Sequence, residues 1–461
     1  MNISIIGAGP GGYVCAIKAS QLGAKVTLID AHEVGGTCLH WGCIPTKSLN
    51  ASVDVLSKVR HSREFGVEVS GEITPNITSM MERKDKVVST LVKGIRGLLK
   101  SYDVTLIIGR GKIVGKNEIE VSKPDGSTEI IKSDYIVIAT GSSPAEIPFF
   151  TFDGKYIISS TDALAIKEIP KDIIIIGAGV IGCEFATIFS ELGTEVTMLE
   201  MMPRCLMTED EEISEVLARE FKKKKIKLLT SVKVTKSAIR DERVYVTLED
   251  GREINAEKVL VSVGRKINSD GIGLEELGIE KGKRGEIKVN ERMQTNVPNI
   301  YAIGDVVGGM LLAHVASMEG IVCAYNICGI QRSMDYSVVP ATIFTSPEIG
   351  SVGLREFECK QKAIDYKKGY FQFRALGKAQ AMGEISGMVK VITEKQTDKI
   401  IGMHIIGPHA SDLIHEGALA IKNGLTSHQV GNMIHSHPTL SEAIMEAMED
   451  VHSSAIHVPK R

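Results

Sequence analysis

Apolar positions fall along this chain in two rhythms. Residues 3–6 form a short apolar run that meets Gly7, residues 10–21 carry a helical pattern, and a Leu-Gly step leads to a second apolar run ending on Asp30. Residues 173–200 (IIIIGAGVIGCEFATIFSELGTEVTMLE) repeat that order at an offset of 170, with about 13 of 28 positions identical to residues 3–30 (ISIIGAGPGGYVCAIKASQLGAKVTLID). A strand-length run, a glycine turn, a helical period and a second run describe a βαβ unit. A match at fixed offset marks a repeated architecture. Further apolar runs end at glycine in YIVIATG (135–141) and VLVSVG (259–264), and a third motif of this kind is YAIGD (301–305). The second repeat lies between the first and last of these, so the first domain is interrupted. The pattern predicts a first domain over 1–145 and 270–339 and a second over 146–269. From Pro340 the rhythm changes. Residues 387–402 read as a hairpin closed by a KQTD turn, and helical stretches follow at 412–422 and after Pro438. Residues 340–461 are therefore an α+β domain without a nucleotide motif.

Each repeat carries G-x-G-x-x-G at the junction of strand and helix: Gly7, Gly9, Gly12 and Gly177, Gly179, Gly182. The first glycine makes the tight turn, the second lets backbone approach a pyrophosphate, and the third lets helix and strand pack closely. The diphosphate rests on the helix N-terminus, where unpaired N–H groups and the dipole favour an anion. Asp30 and Glu200 each stand 18 residues after the last glycine, the spacing of a ribose-binding acid. Two turns of this kind predict two dinucleotides. A carboxylate at Glu200 would repel a 2′-phosphate, and Arg204 is the only arginine close by, so the second repeat is expected to take NAD rather than NADP.

Composition narrows the classes. With 43% hydrophobic residues and a net charge of −3, the chain is neither disordered nor basic enough to suggest nucleic acid. The lone basic run, Lys222–Lys225, reads as the solvated end of a helix. No membrane span is expected: the longest uncharged apolar stretch near a motif, 173–183, is about half the roughly 20 residues required. Met1 leads straight into the first strand without a basic leader, and a cytoplasmic location is expected. The eight cysteines then form no disulfide scaffold.

Two cysteine pairs share the C-x4-C spacing. Cys323 and Cys328 lie in an uninterrupted helical pattern, where residues five apart are about 8–9 Å apart at Cα, beyond disulfide reach; they read as core thiols. Cys38 and Cys43 sit in GGTCLHWGCIPTK (35–47), flanked by Gly35, Gly36, Gly42 and Pro45. This pair begins in a turn that can bring the sulfurs together, which points to a redox-active disulfide. Two buried structural cysteines are the alternative, as is a metal site, which would lack a second ligand pair of matching spacing. Cys15, Cys183, Cys205 and Cys359 stand alone in sequence and read as structural. A redox disulfide beside two dinucleotide folds implies an electron chain, since nicotinamide and disulfide each exchange two electrons and a flavin can mediate.

The order of motifs GAGPGG, GGTCLHWGCIPTK, ATGS, GAGVIGCE, VSVGR, YAIGD, LLAHVASMEG and HSHPTLSEA resembles, over essentially the whole chain, the pyridine nucleotide–disulfide oxidoreductases of the glutathione reductase type. Within that family the match is closest to the branch that reoxidises protein-bound dihydrolipoamide to lipoamide with NAD+. The resemblance implies an α/β fold with two Rossmann-like dinucleotide-binding domains and a C-terminal α+β dimerisation domain. It implies FAD on Gly7, Gly9, Gly12, Asp30, Gly111, Thr140, Gly141, Ser142, Asp305 and Ala313. It implies NAD on Gly177, Gly179, Gly182, Glu200, Val232 and Gly264, and a Lys47–Glu184 pair beside the flavin. Cys38 and Cys43 are the redox pair, and His437 with Glu442 is the acid–base pair, contributed across a homodimer. Two other readings of that last segment stand: Thr439-x-x-Glu442 is also a capping-box pattern, and His435 is a second candidate imidazole. His40-Trp41 departs from the smaller or polar residues expected between the cysteines, which bears on substrate preference. The implied partner is a lipoyl-bearing protein of a 2-oxo-acid dehydrogenase or glycine cleavage complex. Rival readings are a glutathione or mercuric reductase, and a non-catalytic FAD-holding subunit of an acyltransferase complex.

Overall fold

A computed structural model describes residues 1–459 in two compact units. The first comprises Met1–Ala145, Ser160–Lys167 and Gly264–Asp335. Its centre is a five-stranded sheet in the spatial order Thr105–Ile108, Lys25–Asp30, Asn2–Ile6, Tyr135–Ile138, Ile300–Ala302, with every pairing parallel. The first strand sits in the middle because both of its faces are covered, and Ile3, Ile5 and Ile6 are buried accordingly. Helix Pro10–Gln21 packs along helix Ala313–Ile327 at close range: a Cβ on Gly320 would lie 2.5 Å from Gly11 O. That packing brings Cys15 against Cys323. Burial, then the neighbouring Cys15, pushes the Cys323 thiol well up. A three-stranded antiparallel sheet (Arg110–Gly115, Glu118–Ser122, Thr128–Lys132) completes the unit beside a short pairing of Ser142–Pro144 with Arg265–Ile267.

The second unit comprises Glu146–Ser159, Glu168–Val263 and the chain from Tyr336 onward. Its parallel sheet runs Lys227–Leu229, Glu195–Leu199, Asp172–Ile176, Lys258–Val261, Ile157–Ile158, reproducing the arrangement of the first around its own central strand. The repeat in sequence is thus a repeat in topology. A second sheet, antiparallel, orders Ala341–Ile343, Glu348–Gly353, Ile400–Gly407, Met388–Glu394 and Tyr366–Gln372. Its central hairpin is the one the alternation around 387–402 predicts. Helix Ala410–Lys422 packs on strands Glu348–Gly353 and Ile400–Gly407, and helix Glu442–Asp450 on the other two long strands. Cys183 and Cys205, isolated in sequence, meet in this unit, and both are buried. The lysine run does end a helix, Glu211–Lys223. Among the described residues no helix is long and apolar enough to cross a membrane.

Candidate functional site

The first-repeat turn is built from steric necessity. Gly7 has φ +107°, and a Cβ there would lie 2.1 Å from Ala139 O; a Cβ on Gly12 would lie 1.8 Å from Gly7 O. Gly9 differs. Its φ of −69° suits any residue, and the only atom within 4 Å of a Cβ there is Gly36 Cα at 3.9 Å. The protein itself does not require glycine at that point, whereas a diphosphate lying on the N-terminus of helix Pro10–Gln21 would. Asp30 spans the turn: Oδ2 accepts from Ala8 N at 2.6 Å and Oδ1 from His32 N at 2.8 Å.

Strand ends of the first unit gather more polar groups near this turn. Thr140 Oγ1 donates to Asn268 O at 2.7 Å, and Asn268 N donates to Gly141 O at 3.0 Å. Ser142 Oγ donates to Asp305 Oδ2. Arg265 donates from Nε to Ser142 Oγ and from Nη2 to Ser142 O, both at 2.6 Å, and its Nε lies 3.7 Å from Asp305 Oδ2. Burial holds the Arg265 guanidinium below its ordinary pKa. Glu319, on helix Ala313–Ile327 that Ala313 opens, accepts from Gly304 N at 2.6 Å and so fixes the turn carrying Asp305. Gly111 has a packing reason for its size, since a Cβ would meet Ile6 Cγ2 at 3.2 Å. Arg265, Asn268 and Glu319 are not among the residues that the sequence singles out. The available signal was charge placed where strand and helix ends must be buried, as with Arg265 directly after Gly264 in VSVGR.

The redox turn docks onto the same glycine loop. Gly35 N donates to Ala8 O at 2.8 Å, and a Cβ on Gly36 would lie 2.6 Å from Gly9 Cα. A short helix, Gly36–His40, carries Cys38, and an 18-residue helix, Cys43–Arg60, opens on Cys43 itself. The two thiols are hydrogen-bonded. That bond, then burial, pushes the Cys38 thiol far up, while Lys47, one turn along the second helix, pulls the other way. Cys43 at a helix N-terminus is placed to hold a thiolate. Trp41 is 36% exposed, with its ring 5.4 Å from both His32 and His40; His40 is turned back onto Val34 O at 2.9 Å.

The second repeat repeats the turn. A Cβ on Gly177 would lie 2.6 Å from Ser262 O and one on Gly182 2.0 Å from Gly177 O, whereas Gly179 has nothing within 4 Å. Glu200 Oε2 accepts from Ala178 N at 2.6 Å and Oε1 from Met202 N at 2.8 Å, the same bridging as Asp30. Val232 N donates to Glu200 O at 3.0 Å, which places Val232 beside that acid. Glu184 is buried on helix Val180–Leu192 and accepts from Phe344 N at 2.9 Å. Lys47 and Glu184 belong to different units, and Gly264 clusters with the first unit.

His437 and Glu442 also lie in the second unit. His437 Nδ1 is 2.8 Å from Glu442 Oε1, and its side chain is 78% exposed. Glu442 Oε2 accepts from Thr439 N at 2.8 Å while Oε1 orients the imidazole, but the helix is capped at Ser441 and Thr439 Oγ1 turns to Ser436 O, so the capping box that Thr439-x-x-Glu442 suggests is not formed. Burial opposes ionisation of Glu442, but the Thr439 N–H and His437 hold it below the usual carboxylate range. His435 is different. Its ring bonds Met433 O and Glu416, both at 2.9 Å, and its side chain is 3% exposed. No ring nitrogen of His435 is left to meet a substrate.

Residues 1–320 match the pyridine nucleotide-disulphide oxidoreductase family, and residues 339–448 match its dimerisation domain. The chain is 42% identical to a dihydrolipoyl dehydrogenase of Chlamydia trachomatis over 457 residues, 99% of this chain and 97% of the relative. It is 42% identical to the mitochondrial dihydrolipoyl dehydrogenase of Pisum sativum, covering 99% of this chain and 92% of that one. Among solved structures, LpdA from Mycobacterium tuberculosis superposes with a TM-score of 0.92 at 28% identity, covering 97% of this chain and 99% of that one. The chain therefore belongs to the pyridine nucleotide-disulphide oxidoreductase family, as a flavoprotein disulfide oxidoreductase whose cofactors are FAD and NAD.

Proposed function

We propose that this protein reoxidises dihydrolipoamide, carried on a lipoyl-bearing protein of a 2-oxo-acid dehydrogenase or glycine cleavage complex, to lipoamide while NAD+ becomes NADH. FAD lies on the first-repeat turn, in a domain of residues 1–145 and 270–339. NAD lies on the second, in residues 146–269. Residues 340–461 join two subunits, and His437 with Glu442 of one subunit serves the cysteine pair of the other. The observation that carries this reading is the hydrogen-bonded Cys38–Cys43 pair with Cys43 at a helix N-terminus. A cytoplasmic location is part of the same reading, since a disulfide in a reducing compartment is chiefly catalytic, as that of Cys38 and Cys43 would be.

With Cys38 and Cys43 joined as a disulfide, Nε2 of His437 takes the proton of one substrate thiol. Glu442 keeps the ring oriented and stabilises its cationic form. The substrate thiolate attacks Cys38 Sγ, the S–S bond to Cys43 breaks, and Cys43 leaves as a thiolate. The second substrate thiol then attacks the substrate sulfur of the mixed disulfide, closing cyclic lipoamide and breaking the bond to Cys38, which leaves with the electron pair as a thiolate and takes the proton of that second thiol. Gly7, Gly9, Gly12 and Asp30 would hold FAD, which would supply two-electron acceptance from such a dithiol and its transfer to NAD+. Lys47, whose charge reaches the pair, stabilises negative charge there.

Steady-state assays decide between substrates. NAD+-dependent oxidation of dihydrolipoamide, with no turnover of oxidised glutathione or mercuric ion, is the expected result. Turnover of glutathione with NADPH and none of dihydrolipoamide would remove the proposal. Absence of any disulfide chemistry in a flavin-loaded protein would favour a non-catalytic subunit.

A further inference from the structure

The second unit holds a cluster of charged groups that the chemistry above leaves without a task. Lys390, on strand Met388–Glu394, is fully buried. Its Nζ lies 2.8 Å from Asp210 Oδ1, from Glu356 Oε2 and from Glu212 Oε2, the last a charge contact without hydrogen-bond geometry. Asp210 Oδ2 accepts from Glu356 N at 3.0 Å, and Tyr366 and Tyr370 donate to Glu356 and Glu212 at 2.8 and 3.1 Å. A second cation, Arg355, approaches Glu209 at 3.5 Å. Burial opposes ionisation of both Asp210 and Glu356, yet His404 and Lys390 hold Asp210, and Lys390 with Tyr366 holds Glu356, below the usual carboxylate range. The Lys390 ammonium and the Asp210 carboxylate are held out of water and are tolerable only while paired, so a shift of either leaves a buried charge unpaired.

The location gives this cluster a consequence. Asp210 caps helix Glu211–Lys223, and residues 201–209 run from Glu200 to that cap. The segment is tied at its start by Met202 N to Glu200 and in its middle by Leu206 N to Ala178 O at 2.9 Å, in the second glycine turn. Arg204 braces it, donating to Leu206 O at 3.0 Å and Ser214 Oγ at 2.6 Å. One end of the segment is therefore the dinucleotide turn, and the other is anchored in the C-terminal sheet.

We propose that Lys390 is a positioning residue for NAD: through Asp210 it fixes residues 201–209, and with them Glu200 and the Ala178 turn, so that the C-terminal sheet sets the geometry of the ribose end of the site. This rests on the assignment of NAD to the second repeat.

The test uses the flavin-loaded protein with Lys390→Met and Asp210→Asn. The asparagine keeps the cap oxygen and the length, and it decides the matter if the methionine variant does not fold. Two readouts are taken: deuterium exchange of residues 201–209 without NAD, and the KM values for NAD+ and dihydrolipoamide. Faster exchange confined to that segment is expected, with KM for NAD+ raised roughly 2- to 30-fold and KM for dihydrolipoamide unchanged. Unchanged exchange, an unchanged KM for NAD+, or equal increases in both KM values would overturn the proposal. Glu200→Ala separates the underlying assignment: if it leaves KM for NAD+ at the wild-type value, the assignment of NAD to this repeat fails. If it raises that KM while Asp210→Asn does not, only the role of Lys390 falls.

Discussion

Replacing Gly179 by alanine should separate what the fold needs from what the dinucleotide needs. Gly179 has φ −76° and ψ −170°, a conformation open to alanine, and a Cβ there has no neighbour within 4 Å. Glycine is slightly better than alanine as a helix N-cap, while alanine restricts the unfolded chain, so these opposed effects leave stability within about 1 kcal/mol of wild type. At about 2.1 cal/mol/K of unfolding entropy per residue, that corresponds to a melting shift of about 1 °C for a chain of 461 residues. The bound diphosphate would meet the new methyl, and losing one charge-assisted N–H contact at about 1.5–3 kcal/mol raises Kd roughly ten- to hundred-fold. Gly182→Ala should behave oppositely. Its Cβ would lie 2.0 Å from Gly177 O and 2.8 Å from Ser262 Oγ, so helix and strand must part at about 1–3 kcal/mol or more. Calorimetric titration of NAD+ and thermal melts of both variants read the two quantities. Wild-type NAD+ affinity in Gly179→Ala, or a loss of stability equal to that of Gly182→Ala, would refute the reasoning.

His437→Ala should lower kcat for dihydrolipoamide by a factor on the order of 10²–10⁴; a normal rate would remove it from the chemistry. Asp210 and Glu356 are held low in the folded protein. Their contribution is present above the unfolded carboxylate pKa of about 4 and is lost as pH falls through the folded values. Urea melts below pH 4 should therefore show a flatter acid limb for Glu356→Gln than for wild type, and parallel limbs would contradict that. Trp41 is the single tryptophan. Its emission should change when the Cys38–Cys43 pair is reduced, and Trp41→Phe should abolish the signal; constant emission would show that the ring does not report on the redox turn.

Local periodicity made the two repeats and the C-terminal hairpin legible, because each is written within about 30 consecutive residues and the first and third glycines of each turn are forced by neighbours in the same unit of structure. Of the two roles open to Glu442, the structure forms the imidazole contact and not the capping box, because the helix begins at Glu442 behind Ser441, a boundary that Thr439-x-x-Glu442 does not encode. His435 and His437 differ by burial, a property of helix Ala410–Lys422 supplying Glu416 rather than of their own segment. Cys15 with Cys323 and Cys183 with Cys205 meet through packing between distant segments, which spacing does not encode. Lys390 illustrates the same limit. In MVKVITE it reads as one face of an alternating strand, yet it is buried because acids from two other segments converge on it.

The central claim is that Cys38 and Cys43 accept the electron pair from the substrate dithiol. Anaerobic alkylation with iodoacetamide, before and after one equivalent of dihydrolipoamide, followed by peptide mass spectrometry tests it most directly. The account predicts new carboxamidomethyl groups on Cys38 and Cys43 alone, in protein that is unlabelled at both positions beforehand. New label on any other cysteine, or substrate oxidation with no new label on this pair, would contradict it.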